Sequence, residues 1–169
     1  MILAAFVHFK GLRTAIEEDM QMKLDLHGMR TKDAIDRFIS EYNKAVRLGV
    51  DRLEVVHGYG SSGVGGDIKD ALTALLDAYP GKVRYIKGEM LGNRGVTVVV
   101  PDIPLPPRKM AIDDVILNML SKPSSLKDIE EGLCGFAGGD EIHGAMKALM
   151  RSGKATEVLR GGRISYTKK

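Results

Sequence analysis

Cysteine and aromatic residues are scarce in this chain of 169 residues. The one cysteine, Cys134, excludes an intramolecular disulfide and a zinc site made of several thiolates. Within Leu133-Cys134-Gly135-Phe136 it reads as a small buried apolar residue. Tryptophan is absent and aromatics make up 5%, so a stacking surface for single strands is poorly supplied. Long apolar runs are missing too. The apolar start, residues 2–9, is interrupted by His8 and soon followed by Glu17-Glu18-Asp19. It lacks a basic lead and is too short to span a membrane, so no membrane partner is expected. It reads as a strand or helix packed on the domain, or as the remnant of a longer protein. A cytoplasmic location is the expectation.

Hydrophobic residues make up 44% and charged residues 28%, which describes a globular chain with one medium domain or two small ones. The net charge of +3 is unevenly placed. Residues 1–107 hold 14 basic and 14 acidic residues, whereas 108–169 hold 11 and 8, so the whole excess lies in the second part. A basic excess of this kind fits a nucleic-acid partner without requiring one.

The stretch Leu24-Asp25-Leu26-His27-Gly28 carries the first chemical signal. Met22, Leu24 and Leu26 alternate and share one face of a strand, so Lys23, Asp25 and His27 share the other. Gly28 turns the chain, and Met29-Arg30-Thr31 lead into a helix. Asp25 and His27 are thus neighbours at the carboxyl end of a strand, where open α/β sheets bind ligands. Thr31 is the expected N-cap of a helix over 32–48, with Ala34, Ile35, Phe38, Ile39, Tyr42, Ala45 and Val46 on its apolar face and Gly49 as its end. A second strand, 52–56, runs into His57-Gly58-Tyr59-Gly60-Ser61 and a glycine-rich loop, then a helix from about 67 to 78. Strand, glycine-rich loop and helix N-terminus make an anion cradle of backbone N–H groups. This loop matches neither the Walker pattern nor the dinucleotide fingerprint. Strands over 83–87 and 96–100 follow, with a glycine-rich turn between them.

The pair LDLHG and HGYG, separated by one amphipathic helix, and the closing strand Gly95-Val96-Thr97-Val98-Val99-Val100 together resemble the Smr (small MutS-related) domain. That resemblance implies an α/β fold, a two-layer β-α-β-α-β-β domain. It also implies phosphodiester cleavage of DNA or RNA centred on Asp25 and His27. His57 would share the rim as a third catalytic residue, and Gly58, Tyr59, Gly60, Ser61 and Arg30 would bind phosphate. In the family the loop usually carries a lysine and a threonine, as HGKGTG; here Tyr59 and Ser61 take those places. That departure leaves a non-catalytic DNA- or RNA-binding module, or an adaptor in DNA repair or ribosome-associated RNA processing, open as the alternative. No metal ligand set is assigned, and a divalent ion is left open as a cofactor.

Pro101, Pro104, Pro106 and Pro107 mark residues 102–109 as a stiff linker between an Smr-like domain over 22–101 and a second domain over 110–169, with 1–21 as an extension. In that second part, three helical patterns precede two short strands separated by Gly161-Gly162. This order resembles a winged helix, a small α+β domain. It implies nucleic-acid contacts from Lys147 and Arg151 on the third helix and from Arg160 and Arg163 on the ribbon. A winged helix that docks on protein is the other reading of the same pattern. The oligomeric state is not legible.

Overall fold

The computed structural model describes residues 19–58 and 65–169. Within them lie two sheets and five α-helices. The first sheet has four strands: β1 (Gln21–Asp25), β2 (Arg52–Val56), β3 (Arg84–Lys87) and β4 (Val96–Val100). Their order is β1-β2-β4-β3, with β1 parallel to β2 and β4 antiparallel to both of its neighbours. The sheet is therefore mixed. β3 and β4 pair as a hairpin, closed by a 3-10 turn at Gly88–Leu91.

Register sorts the side chains. Leu24, Val55 and Thr97 stand in one row across three strands, and Leu53 pairs with Val99 in the next. All five are buried. Helices α1 (Thr31–Leu48) and α2 (Gly65–Asp77) contribute the other half of this core. From α1 come Ala34, Ile35, Phe38, Ile39 and Tyr42, and from α2 come Ile68, Ala71, Leu72, Leu75 and Leu76. Those are the residues that a 3.6-residue period places on one stripe. Lys23, Asp25 and His27 are exposed, as strand alternation requires.

The start of α1 departs from expectation. Arg30 is the N-cap, in extended conformation and without a side-chain cap hydrogen bond, and Thr31 is the first helical residue. Thr31 is buried because its side chain packs under Gly135, where an added Cβ would meet it at 2.9 Å. The end of α1 is as expected: Gly49 is left-handed, at φ 69°, and its N–H reaches back to Ala45 and Val46.

Beyond β4 the chain crosses residues 101–107 without a helix or strand. This stretch is held to the first part of the fold. Asn43 of α1 brackets Leu105, donating to its carbonyl at 2.8 Å and accepting from its N–H at 2.8 Å, and Leu105 is buried. Three helices follow, α3 (Arg108–Met119), α4 (Leu126–Gly132) and α5 (Gly139–Arg151), then the antiparallel ribbon β5 (Ala155–Arg160) and β6 (Arg163–Lys168). Ser125 caps α4 through a reciprocal bond with Asp128. Ser124 bridges to Tyr166, which ties the α4 entry to the ribbon.

Cys134 is exposed, contrary to the sequence expectation. Leu133 and Phe136 take the inward positions after α4, and Gly135 at φ 79° turns the chain between them. Ala111, Ile112, Val115 and Ile116 of α3, Ile129 of α4 and Ile142 of α5 join the same hydrophobic cluster as the sheet and α1. Arg108, the first residue of α3, is buried and ties three segments together. It donates to Asp36 of α1 at 3.1 Å, to the carbonyl of Phe136 at 2.9 Å and to Glu141 of α5 at 3.1 Å.

Candidate active site at the strand ends

Asp25 ends β1, and the backbone continues in strand geometry long enough for Leu26 N–H to donate to the Val56 carbonyl at 2.8 Å. That extra bond sends His27 outward beside Asp25. One carboxylate oxygen, Asp25 Oδ1, accepts from the His27 backbone N–H at 3.0 Å and lies 2.6 Å from His27 Nδ1. The side chains are 53% and 68% exposed, respectively. The hydrogen bond from the His27 ring, followed by that from its backbone, holds the Asp25 carboxyl below its ordinary value of 3.8. In the tautomer with the proton on Nδ1, that proton faces the ionised Asp25 carboxylate and Nε2 is the ring's acceptor. No described residue bonds to Nε2.

Gly28 then turns the chain at φ 73°, a conformation that a side chain would strain. Arg30 is exposed just beyond that turn. From the second strand, Gly58 comes to the same place. It sits at φ 83°, and an added Cβ would lie 3.4 Å from the Cβ of His27. The two His-Gly steps therefore meet, as expected from their places at adjacent parallel strand ends.

His57 does not share the open rim with Asp25 and His27. Leu53, Val55 and His57 alternate on the core face of β2, and His57 is 1% exposed. Its Nε2 is 3.1 Å from Thr97 Oγ1 and its Nδ1 3.2 Å from the Gly58 carbonyl. Burial lowers its pKa below the ordinary 6.5 and favours the neutral ring. His57 thus fastens the strand end rather than facing solvent. The backbone N–H groups of His57 and Gly58 both donate to the Gly95 carbonyl, at 3.0 and 3.1 Å. Gly95 and Thr97 belong to the closing-strand motif, but the sequence did not mark them as parts of this framework. Their signal was a lone hydroxyl inside the run Val96-Thr97-Val98.

Tyr59, Gly60 and Ser61 lie outside the described residues. Lys147 and Arg151 are exposed on α5, four positions apart and so on one helix face. Arg160 and Arg163 are exposed and directly opposite each other on the ribbon. These four basic residues belong to other elements than Asp25, His27 and Gly58. Among the described residues, no three of His, Cys, Asp and Glu group as a metal set, and no helix is long and apolar enough to cross a membrane.

Chemically, the Asp25–His27 pair can polarise a hydroxyl or a water through Nε2. The imidazole takes the proton while the carboxylate steadies the resulting positive charge. This pairing of an acceptor nitrogen with an anchoring carboxylate is what hydrolysis or transesterification of a phosphodiester needs from side chains.

Comparison with known proteins bears on the same stretch. Residues 24–101 match the family model described as "Smr domain". The chain is also 32% identical, over 85 residues, to "Endonuclease MutS2" of Thermomicrobium roseum (strain ATCC 27502 / DSM 5159 / P-2). That similarity covers 50% of this chain and 10% of the relative, so the chain spans a small part of the curated protein it matches. No solved structure matches the chain. The segment that places Asp25 and His27 beside Gly58, residues 24–101, is an Smr domain.

Proposed function

We propose that the chain is a nucleic-acid endonuclease of the Smr type, cleaving or nicking a phosphodiester backbone of DNA or RNA. The observation that carries this reading is the exposed Asp25–His27 pair, with Oδ1 and Nδ1 2.6 Å apart. In this reading Nε2 takes the proton of the attacking hydroxyl or water. Asp25 stabilises the imidazolium so formed, and the proton is returned to the departing oxygen. Arg30 beside the turn supplies positive charge toward the phosphate. The first backbone N–H groups of α2 supply an anion site of the kind helix N-termini offer. His57 works at one remove. Its ring holds Thr97 and the Gly58 carbonyl, and so keeps Gly58 against His27. The role is positioning, in place of the direct role expected from sequence.

The relative's name, an endonuclease, supports the same reading for this chain. The second part adds affinity in this proposal. Three helices, a bridge at Ser124 and the β5–β6 ribbon follow the order of a winged helix. Lys147, Arg151, Arg160 and Arg163 supply its phosphate contacts. One feature favours the alternative, a binding module or adaptor without cleavage: Tyr59 stands where the family usually has a lysine.

The test is cleavage of end-labelled single-stranded RNA, duplex DNA and branched DNA, with and without EDTA. The wild type is run beside Asp25→Asn and His27→Ala. Cleavage that both substitutions remove establishes the enzyme, and the EDTA arm decides whether a divalent ion takes part. Binding on every substrate with cleavage on none transfers the assignment to the binding module.

A further inference from the structure

The β5–β6 ribbon has features that the Asp25–His27 site does not use. Leu159 and Ile164 face each other across it and are 79% and 56% exposed. Together they make a small apolar tip, whereas the base of the same ribbon is anchored by buried Ala155. The next pair outward is Arg160 and Arg163, again directly opposed. Like charges facing each other weaken a two-stranded ribbon, and neither arginine has a salt-bridge partner among the described residues. A bound anion removes that repulsion. Between Lys154 and Lys169 the chain has five basic residues and one acid, Glu157.

Shape agrees with charge. The apex is Gly161-Gly162, at φ 55° and 77°, so no side chain widens it. Strand alternation puts Leu159 and Ile164 on one face of the tip and the arginine pair on the other. By contrast, α5 opens with Asp140 and Glu141 in its first turn, which suits a helix N-terminus and repels phosphates. A narrow tip with two cations and two branched apolar side chains has the composition of side-chain wedges that unstack base steps from the minor groove.

We infer that the β5–β6 tip enters the minor groove of duplex DNA. Leu159 and Ile164 press against a base step there, and Arg160 and Arg163 hold the flanking phosphates. This rests on the nucleic-acid reading proposed above and names the element and the form of nucleic acid. It makes the ribbon, not the start of α5, the part of the second half that recognises the partner.

The experiment uses the full chain and duplex DNA carrying 2-aminopurine at a TA step, a flexible step that is easily unstacked. Binding is read by anisotropy and unstacking by 2-aminopurine emission. The same sequence as duplex RNA and anionic phosphatidylserine vesicles are parallel arms. The wild type is expected to bind the DNA and raise the emission several-fold. Leu159→Ser with Ile164→Ser should abolish that rise while melting at the wild-type temperature, since both side chains are exposed. Arg160→Ala with Arg163→Ala should lower the slope of log K against log salt by about two, one for each phosphate no longer neutralised. Binding without a rise in emission, or a rise that survives in the serine variant, overturns the wedge and leaves the nucleic-acid reading standing. Preference for the RNA duplex overturns the choice of DNA. Capture by vesicles that the serine variant abolishes, with no emission change on DNA, overturns the proposal in favour of a lipid surface. Failure of the wild type to bind any nucleic acid overturns the underlying reading as well.

Discussion

Asp25 and His57 are both polar residues at the end of a parallel strand, yet the fold uses them oppositely. Asp25 follows an inward leucine and is exposed; His57 is itself the inward residue of its strand. Asp25→Asn should therefore abolish cleavage while leaving the melting temperature nearly unchanged, because an exposed strand-end residue contributes little packing. Unchanged cleavage in that variant would remove Asp25 from the mechanism. Stability has a pH signature at His57, whose folded pKa lies below 6.5 because the ring is buried. The unfolded chain takes up that proton more readily. This contribution to stability is complete above pH 6.5 and is lost as pH falls below it. Melting temperatures between pH 7.5 and 5 should fall for wild type, and His57→Gln should fall less steeply over the same interval. Gly58→Ala should destabilise by about 1 kcal/mol through its left-handed backbone. Its new Cβ should also crowd His27, so the variant should lose cleavage beyond what melting explains.

At the scale of elements, local sequence rules were reliable where their causes are local. The apolar stripe of α1 and its end at Gly49 were readable because periodicity and left-handed glycine act within a turn or two. Ser125→Ala should lower stability by about 1 kcal/mol, read by denaturant titration. Thr31 shows where such rules stop. It has the right side chain for an N-cap, but Gly135 lies over it and that side chain packs instead. Gly135→Ala should be more damaging than its exposed position suggests. Its Cβ would meet Thr31 at 2.9 Å, and the φ of 79° is strained for alanine. A melting temperature equal to wild type in that variant would refute the close approach. Cys134 failed for a related reason, because the turn at Gly135 gave the inward places to Leu133 and Phe136.

For the whole molecule, the junction matters most. The hydrophobic cluster runs from the four-stranded sheet through α1 and α2 into α3, α4 and α5 without a break. Arg108 adds a polar clasp at its edge, reaching Asp36, Phe136 and Glu141. Glu141 is pushed down to about 2, first by the Gly138 N–H and next by Arg108. The stability it brings is present above pH 4.5 and is lost as the pH falls toward 2. Arg108→Ala should cost about 3 kcal/mol, because it removes a buried cation from two carboxylates and a carbonyl. It should also weaken the acid dependence below pH 4.5. Thermal unfolding of the wild type followed by circular dichroism and calorimetry should show one transition, since the core is shared. Two separate transitions would instead divide the chain at residues 101–107.

The sequence by itself determined the elements and the pair Asp25 and His27. Alternation along β1 and the turn at Gly28 are local, and they put acid and imidazole side by side whatever lies around them. It also determined the charge of the ribbon and the glycines at its apex. Only the tertiary structure decided the strand order β1-β2-β4-β3, which brings Gly58 against His27 and Gly95 under both N–H groups of the second motif. It also decided that His57 faces Thr97 and that Arg108 closes on Asp36 and Glu141. These contacts join residues far apart in the chain, and their partners are chosen by how a whole core closes, which no local pattern encodes.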